Sequence, residues 1–220
     1  MNIKIDKSIL NALPEFNIIA YSMDVKYESS DCVEALISSY ESKIMEEYSL
    51  EDVLDIPLIK EARDSYKKLG KDPSRYRLAC ESLLRRLVKG NKLYRINNLV
   101  DIGNILSIKT KRSVAVLDYD KIVGDVVIRK GKSTDVYEGI GRGIINIENI
   151  PLYEDNIGPF GSTTSDTPRT MVTENTKKIL VFVVCFGTDD IEANAVDAVE
   201  LFKTYASANN ITKINVDRWT

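Results

Sequence analysis

Helical periodicity fills the first half of this chain and gives way near residue 110 to extended patterning, which limits the folds open to it. Behind Asp31, placed as an N-cap with Glu34 three residues on, Val33, Leu36, Ile37, Tyr40, Ile44 and Met45 recur at helical spacing. The pattern predicts an amphipathic helix to about Tyr48, then another from Pro57 to Leu69 closed by Gly70. A third is expected to start with Asp72 as cap and Pro73 at the first helical position. It carries an apolar stripe of Tyr76, Ala79, Cys80, Leu83, Leu84 and Leu87 and stops at Gly90. Ile96 to Ile108 is a fourth. From Ser113 onward three β-branched runs, Ser113–Asp118, Asp125–Arg129 and Lys178–Val184, read as buried strands. Glycine-rich sequence from Gly131 to Thr170 reads as turns and loops, the setting in which function tends to sit. Asp189–Ala208 returns to helix and Ile211–Val216 to strand, while Ile3, Ile5 and Phe16–Tyr21 form a small β element at the start. Helices first and strands after imply one α+β (mixed α/β) domain and not a doubly wound sheet.

Composition narrows the chemistry. The 220 residues contain no histidine, which removes His-ligated zinc, a Ser-His-Asp triad and a Cys-His dyad together. Cys32, Cys80 and Cys185 form no CxxC pair and sit among apolar residues, so reduced core thiols are expected. No metal and no cofactor are called for. The apolar run Ile179–Phe186 is too short to cross a bilayer, so no membrane association is expected. Met1-Asn-Ile-Lys-Ile-Asp lacks the apolar core of a signal peptide, and a cytoplasmic location is expected.

The formal charge of −3 hides an asymmetry. Glu28 to Asp64 carries eleven acids against three bases, and Lys67 to Arg95 carries ten bases against two acids. A local excess of that kind can attract a polyanion, or simply solvate a helix opposite its acidic neighbour. Gly139-Ile-Gly-Arg-Gly143 lacks the strand–turn–helix setting of a phosphate loop and reads as turns.

Several segments, in order, resemble the B3/B4 family, the tRNA-editing module of phenylalanyl-tRNA synthetase β subunits. Asn98-Leu-Val-Asp-Ile-Gly-Asn104 is similar to the Asn-x-Val-Val-Asp-x-x-Asn segment that opens the family's editing pocket. It follows Asp72-Pro-Ser-Arg-Tyr-Arg77 and Glu81-Ser-Leu-Leu-Arg-Arg86, as in free-standing members, and precedes Ala115–Arg129. Asp155, Gly158, Ser165-Asp166, Arg169-Thr170 and Val172-Thr173 through Thr176-Lys177 resemble the passage before the last long strand. The likeness spans roughly residues 57 to 208. Two departures stand out: the place eleven residues after Asn104, a histidine in the synthetase module, holds Ala115, and Ser165–Arg169 replaces a glycine-rich element bearing an acidic residue.

The resemblance implies a single B3/B4-like domain over residues 56–220, its central, mostly antiparallel sheet flanked by helices. Residues 1–55 would form a strand/helix extension packed on it. It implies a trans-acting editing protein that hydrolyses the ester of a mischarged aminoacyl-tRNA, bound by its 3′ end, with no DNA partner expected. The alternative is a non-catalytic RNA- or amino-acid-binding module of the same fold. A complete aminoacyl-tRNA ligase is not expected in 220 residues without ATP-site motifs. Ester hydrolysis needs recognition of the α-amino group, an oriented water and donors for the oxyanion. Asp166 is the candidate for the first, Asn104 for holding water or the carbonyl, and backbone at Gly158 and Gly161 for oxyanion donors. Arg169 and Thr170 are candidates for the phosphate or ribose edge, with Arg169 otherwise pairing with Asp166. Arg77, Arg85 and Arg86 are candidates for contact with the RNA backbone. Asp101 reads as a structural cap or pair.

Overall fold

The computed structural model describes residues 1–219. Its helices are α1 (Lys7–Leu10), α2 (Glu34–Glu47), α3 (Asp52–Asp55), α4 (Pro57–Leu69), α5 (Ala79–Val88), α6 (Asn98–Thr110) and α7 (Ile191–Ala206). Its strands are β1 (Ile3–Ile5), β2 (Asn17–Asp24), β3 (Val114–Asp118), β4 (Val126–Lys130), β5 (Val136–Gly139), β6 (Gly143–Asn146), β7 (Pro151–Glu154), β8 (Pro159–Ser162), β9 (Lys178–Cys185), β10 (Asn209–Ile214) and β11 (Val216–Arg218). The fold is α+β, as the order of periodicities predicts.

The pairing is mostly antiparallel and is divided between two larger sheets, ordered β11-β1-β4-β7-β8 and β10-β2-β9-β3, plus the hairpin β5-β6. Among the described residues, the parallel pairings are those of β1 with β11 and with β4. The first residues therefore supply an inner strand to each large sheet. Strand β9 lies between β2 and β3, and Ile179 to Cys185 is buried throughout, which is why that run is continuously apolar instead of alternating.

Helix α6 organises the site. Asn97 caps it, its side-chain oxygen accepting from Val100 N at 3.0 Å. It packs on α2, α5, α7 and β3, so nearly all of its faces are buried. Gly103 permits the contact with β3: a Cβ there would stand 2.4 Å from Val116 Cγ2.

Four local expectations are corrected. Asp31 lies within a short 3-10 turn (Ser30–Val33), and α2 begins at Glu34 without a side-chain cap. The Asp72-Pro73 signal starts no helix: Asp72 Oδ1 accepts from Ser74 N at 2.8 Å in a turn, and α5 begins only at Ala79. Ala79 N donates to Thr163 O at 3.0 Å, so a tertiary bond sets that start. Residues 131–170 are not all loop; β5 to β8 lie there, each four residues long and too short to carry a period. Cys32 is exposed, in the turn before α2, while Cys80 and Cys185 are buried as expected.

Candidate functional site

Asn104 projects from the middle of α6 into a cavity of about 180 Å³, and Asp166 enters the same cavity from the segment after β8. The walls are apolar: Val100 and Gly103 from α6, Val114 and Val116 from β3, and Val172. Ile96, Ile140 and Met171, exposed by 55, 44 and 39%, also line it and leave apolar surface open to solvent. The alternation of β3 turns Val114 and Val116 toward the cavity, while Ala115, the position matched to the family histidine, is not among the lining residues.

Helical spacing separates the three polar groups of the Asn98–Asn104 segment. Asn98 is fully buried, accepting from Glu28 N at 2.8 Å and donating to Lys26 O at 2.9 Å. Asp101 accepts from Ser30 Oγ at 2.5 Å and from Ile96 N at 3.2 Å, a structural pairing as expected. Asn104 alone faces the cavity.

The segment carrying Asp166 is held from both sides. Ser162 N donates to Ser165 O at 3.0 Å, and Gly161 bridges Asp166. The buried Tyr66 hydroxyl meets Thr163 Oγ1 and lies 3.1 Å from Thr164 Oγ1. From the β5-β6 hairpin, the Tyr137 hydroxyl lies 2.6 Å from Ser162 Oγ, and Ile140 N donates to Asp166 O at 3.0 Å. Asp166 is half-buried as a residue, but its Oδ1 is sealed from solvent with no hydrogen-bond partner. Burial drives its carboxyl up to about 7, against a weaker lowering by the backbone at Ser162. A group poised there changes charge near neutrality, as groups at functional sites often do.

Other sequence candidates are placed elsewhere. Arg169 pairs with Asp155 and not with Asp166, through two 2.9 Å bonds, and also donates to Lys121 O and Gly158 O. Thr170 is fully buried, its hydroxyl donating to Phe160 O at 3.3 Å. Gly158 N donates to Asp155 O at 3.2 Å, and neither Gly158 nor Gly161 lines the cavity. Gly161 serves Asp166 instead: a Cβ there would lie 2.6 Å from Asp166 Oδ1 and 2.8 Å from Tyr153 Cδ2.

The basic residues also divide. Glu81 is fully buried and bound by Arg63 at 2.9 Å, with Arg77 and Arg85 at 3.9 and 4.0 Å. Arg86 donates to Lys92 O at 2.6 Å and lies over the Tyr94 ring. Only Arg77 of the three candidates opens onto a groove, beside Arg75 and Arg142. The apolar walls around Asn104 and Asp166 escaped the sequence reading. Val114 and Val116 carry only a strand alternation, and Ile140, Met171 and Val172 carry no signal linking them to α6.

These features define an α+β domain with a small, mostly apolar cavity entered by one amide and one unpartnered carboxyl. The profile of the B3/4 domain matches residues 61–211, and the chain belongs to that family. Its fold is similar to the crystal structure of an N-terminal fragment of the phenylalanyl-tRNA synthetase β subunit from Pyrococcus horikoshii. The TM-score is 0.53 at 12% identity, over 99% of this chain and 52% of that fragment. The chain thus spans about half the length of that fragment. No curated protein matches it. Among the described residues, no helix is long and apolar enough to cross a membrane.

Proposed function

We propose that this chain hydrolyses the ester bond of aminoacyl-tRNA in trans, with the acylated ribose at the mouth of the Asn104–Asp166 cavity. The supporting observation is the convergence of these two side chains, from elements 62 residues apart in sequence, on one cavity, with an Asp166 carboxyl that belongs to no ion pair among the described residues. Family membership and the synthetase-like fold agree with it.

Each group has one task. An α-ammonium in the cavity would pair with the Asp166 carboxylate and draw its pKa down, a charge-assisted contact in a mostly apolar site. Asn104 donates from its amide to the ester carbonyl as negative charge develops there, or orients the attacking water. The apolar walls receive the amino-acid side chain. With no histidine in the chain, the attacking water adds its oxygen to the acyl carbon and its proton reaches the departing ribose oxygen, relayed by the neighbouring ribose hydroxyl or by solvent.

A binding module without turnover is the second reading, favoured by the scarcity of polar side chains in the cavity. Purified protein incubated with a panel of mischarged tRNAs separates the two. Turnover at catalytic protein concentration, lost in Asn104→Ala and Asp166→Ala, supports hydrolysis; saturable binding without turnover replaces it with the module.

A further inference from the structure

The β5-β6 hairpin, which reaches the Asn104–Asp166 cavity through Ile140, also borders a groove of about 460 Å³ with three arginines, Arg75, Arg77 and Arg142, among its lining residues. We propose that this groove binds the phosphodiester backbone of a single RNA strand whose acylated end enters the adjacent cavity. The identity of the strand rests on the deacylase reading above; the anion site itself does not.

The three arginines come from two separate places, the turn before α5 and the tip of the hairpin, so their convergence is a product of folding. They are exposed and little engaged. Neither Arg75 nor Arg142 belongs to any ion pair among the described residues, and Arg77 reaches Glu81 only at 3.9 Å, behind Arg63 at 2.9 Å. Like charges on one groove, two of them without a counter-charge among the described residues and the third sharing one with Arg63, repel one another, and a phosphate chain relieves that cost. Guanidinium groups suit phosphate because their planar forks donate two bonds at a time.

Two further features favour a nucleic acid strand over an acidic peptide. Ile144, exposed by 80%, and Tyr76 line the same groove and offer apolar surface to a base or ribose. The groove also neighbours the cavity along one chain segment: Thr164 lines the groove and Asp166, two residues on, lines the cavity. Across the hairpin, Ile140 faces the cavity and Arg142 the groove.

The test uses fluorescence anisotropy of the whole protein with a labelled single-stranded oligoribonucleotide over a salt series. Three phosphate contacts predict a slope of log K against log salt of about −2, since each contributes about −0.7 for single strands. Arg142→Ala should reduce its magnitude by about 0.7, and the triple Arg75/Arg77/Arg142→Ala variant should abolish binding. All three residues are on the surface, and circular dichroism checks folding. Arg86→Ala, whose side chain is engaged by Lys92 and Tyr94, should leave the slope unchanged. A slope indifferent to Arg142→Ala, or polyglutamate bound as tightly as the oligonucleotide, overturns the proposal. Asn104→Ala should retain RNA affinity. RNA binding that requires the arginines without any deacylation removes the deacylase reading and keeps the groove; deacylation unaffected by the triple variant does the reverse.

Discussion

The two terminal nitrogens of Arg169 each lie 2.9 Å from one carboxylate oxygen of Asp155, so the arginine nearest Asp166 in sequence is committed elsewhere. Burial alone would raise the Asp155 carboxyl, but the Arg169 bonds and the Val123 and Ile157 N–H groups outweigh it, and the net shift is downward. Asp166 has no such cation and stays high.

Removing Arg169 strands a buried carboxylate that keeps only backbone donors. Arg169→Ala should cost about 2–4 kcal/mol, below the full loss of a buried pair because Val123, Ile157 and Gly158 still donate. Lysine offers a point charge where a fork is needed, so Arg169→Lys should recover less than half of that. Urea unfolding at pH 7 measures both. A Lys variant as stable as the parent would show that charge alone suffices.

Asp166 should make stability fall as pH rises. Its folded value of about 7 exceeds the ordinary 3.8, so between these limits the native state holds a proton that the unfolded chain has released. Its contribution is fully present below about pH 4 and lost on passing about pH 7, up to roughly 4 kcal/mol at about 1.4 kcal/mol per unit. Asp166→Asn should therefore be more stable than the parent at pH 8 and similar at pH 4, yet inactive. Thermal melts across that range give the comparison, and equal pH profiles for the two proteins would contradict it.

The fit between α6 and β3 leaves no room at Gly103. Gly103→Ala forces the new methyl against Val116 Cγ2 and should cost about 1–3 kcal/mol while constricting the cavity. Val116→Ala in the same chain should restore both stability and ligand entry. A double mutant no better than the single one would place the strain elsewhere.

The hairpin is tied to the Asp166 segment by Tyr137, whose hydroxyl lies 2.6 Å from Ser162 Oγ and 2.5 Å from Ser165 O. Tyr137→Phe should destabilise by about 1–2 kcal/mol and loosen the support of Asp166. Hydrogen exchange at Ile140 N, which donates to Asp166 O, is the sensitive readout: faster exchange is expected, and an unchanged rate would mean that the hydroxyl does not hold the hairpin.

Patterns with a local physical cause were legible in the sequence. The spacing for α6 predicted 96–108 against 98–110 observed, and the β-branched run of β9 predicted a buried strand. Asn104 and Asp166 were selected because their segments resemble a family motif, and the fold brings both to one cavity. Where a local signal competed with a distant partner, the partner decided. Asp72-Pro73 is a sound helix start in isolation, but Thr163 O receives Ala79 N and α5 begins there. Asp155 outbid Asp166 for Arg169 because it lies within reach of both guanidinium nitrogens, a proximity that linear spacing does not encode. The sequence alone determined the longer helices, the β-branched strands and the absence of histidine chemistry, since periodicity and composition are local properties. Only the tertiary structure decided which carboxylate is paired, which is left alone in an apolar cavity and which arginines converge, because pairing, burial and charge are set by neighbours far away along the chain.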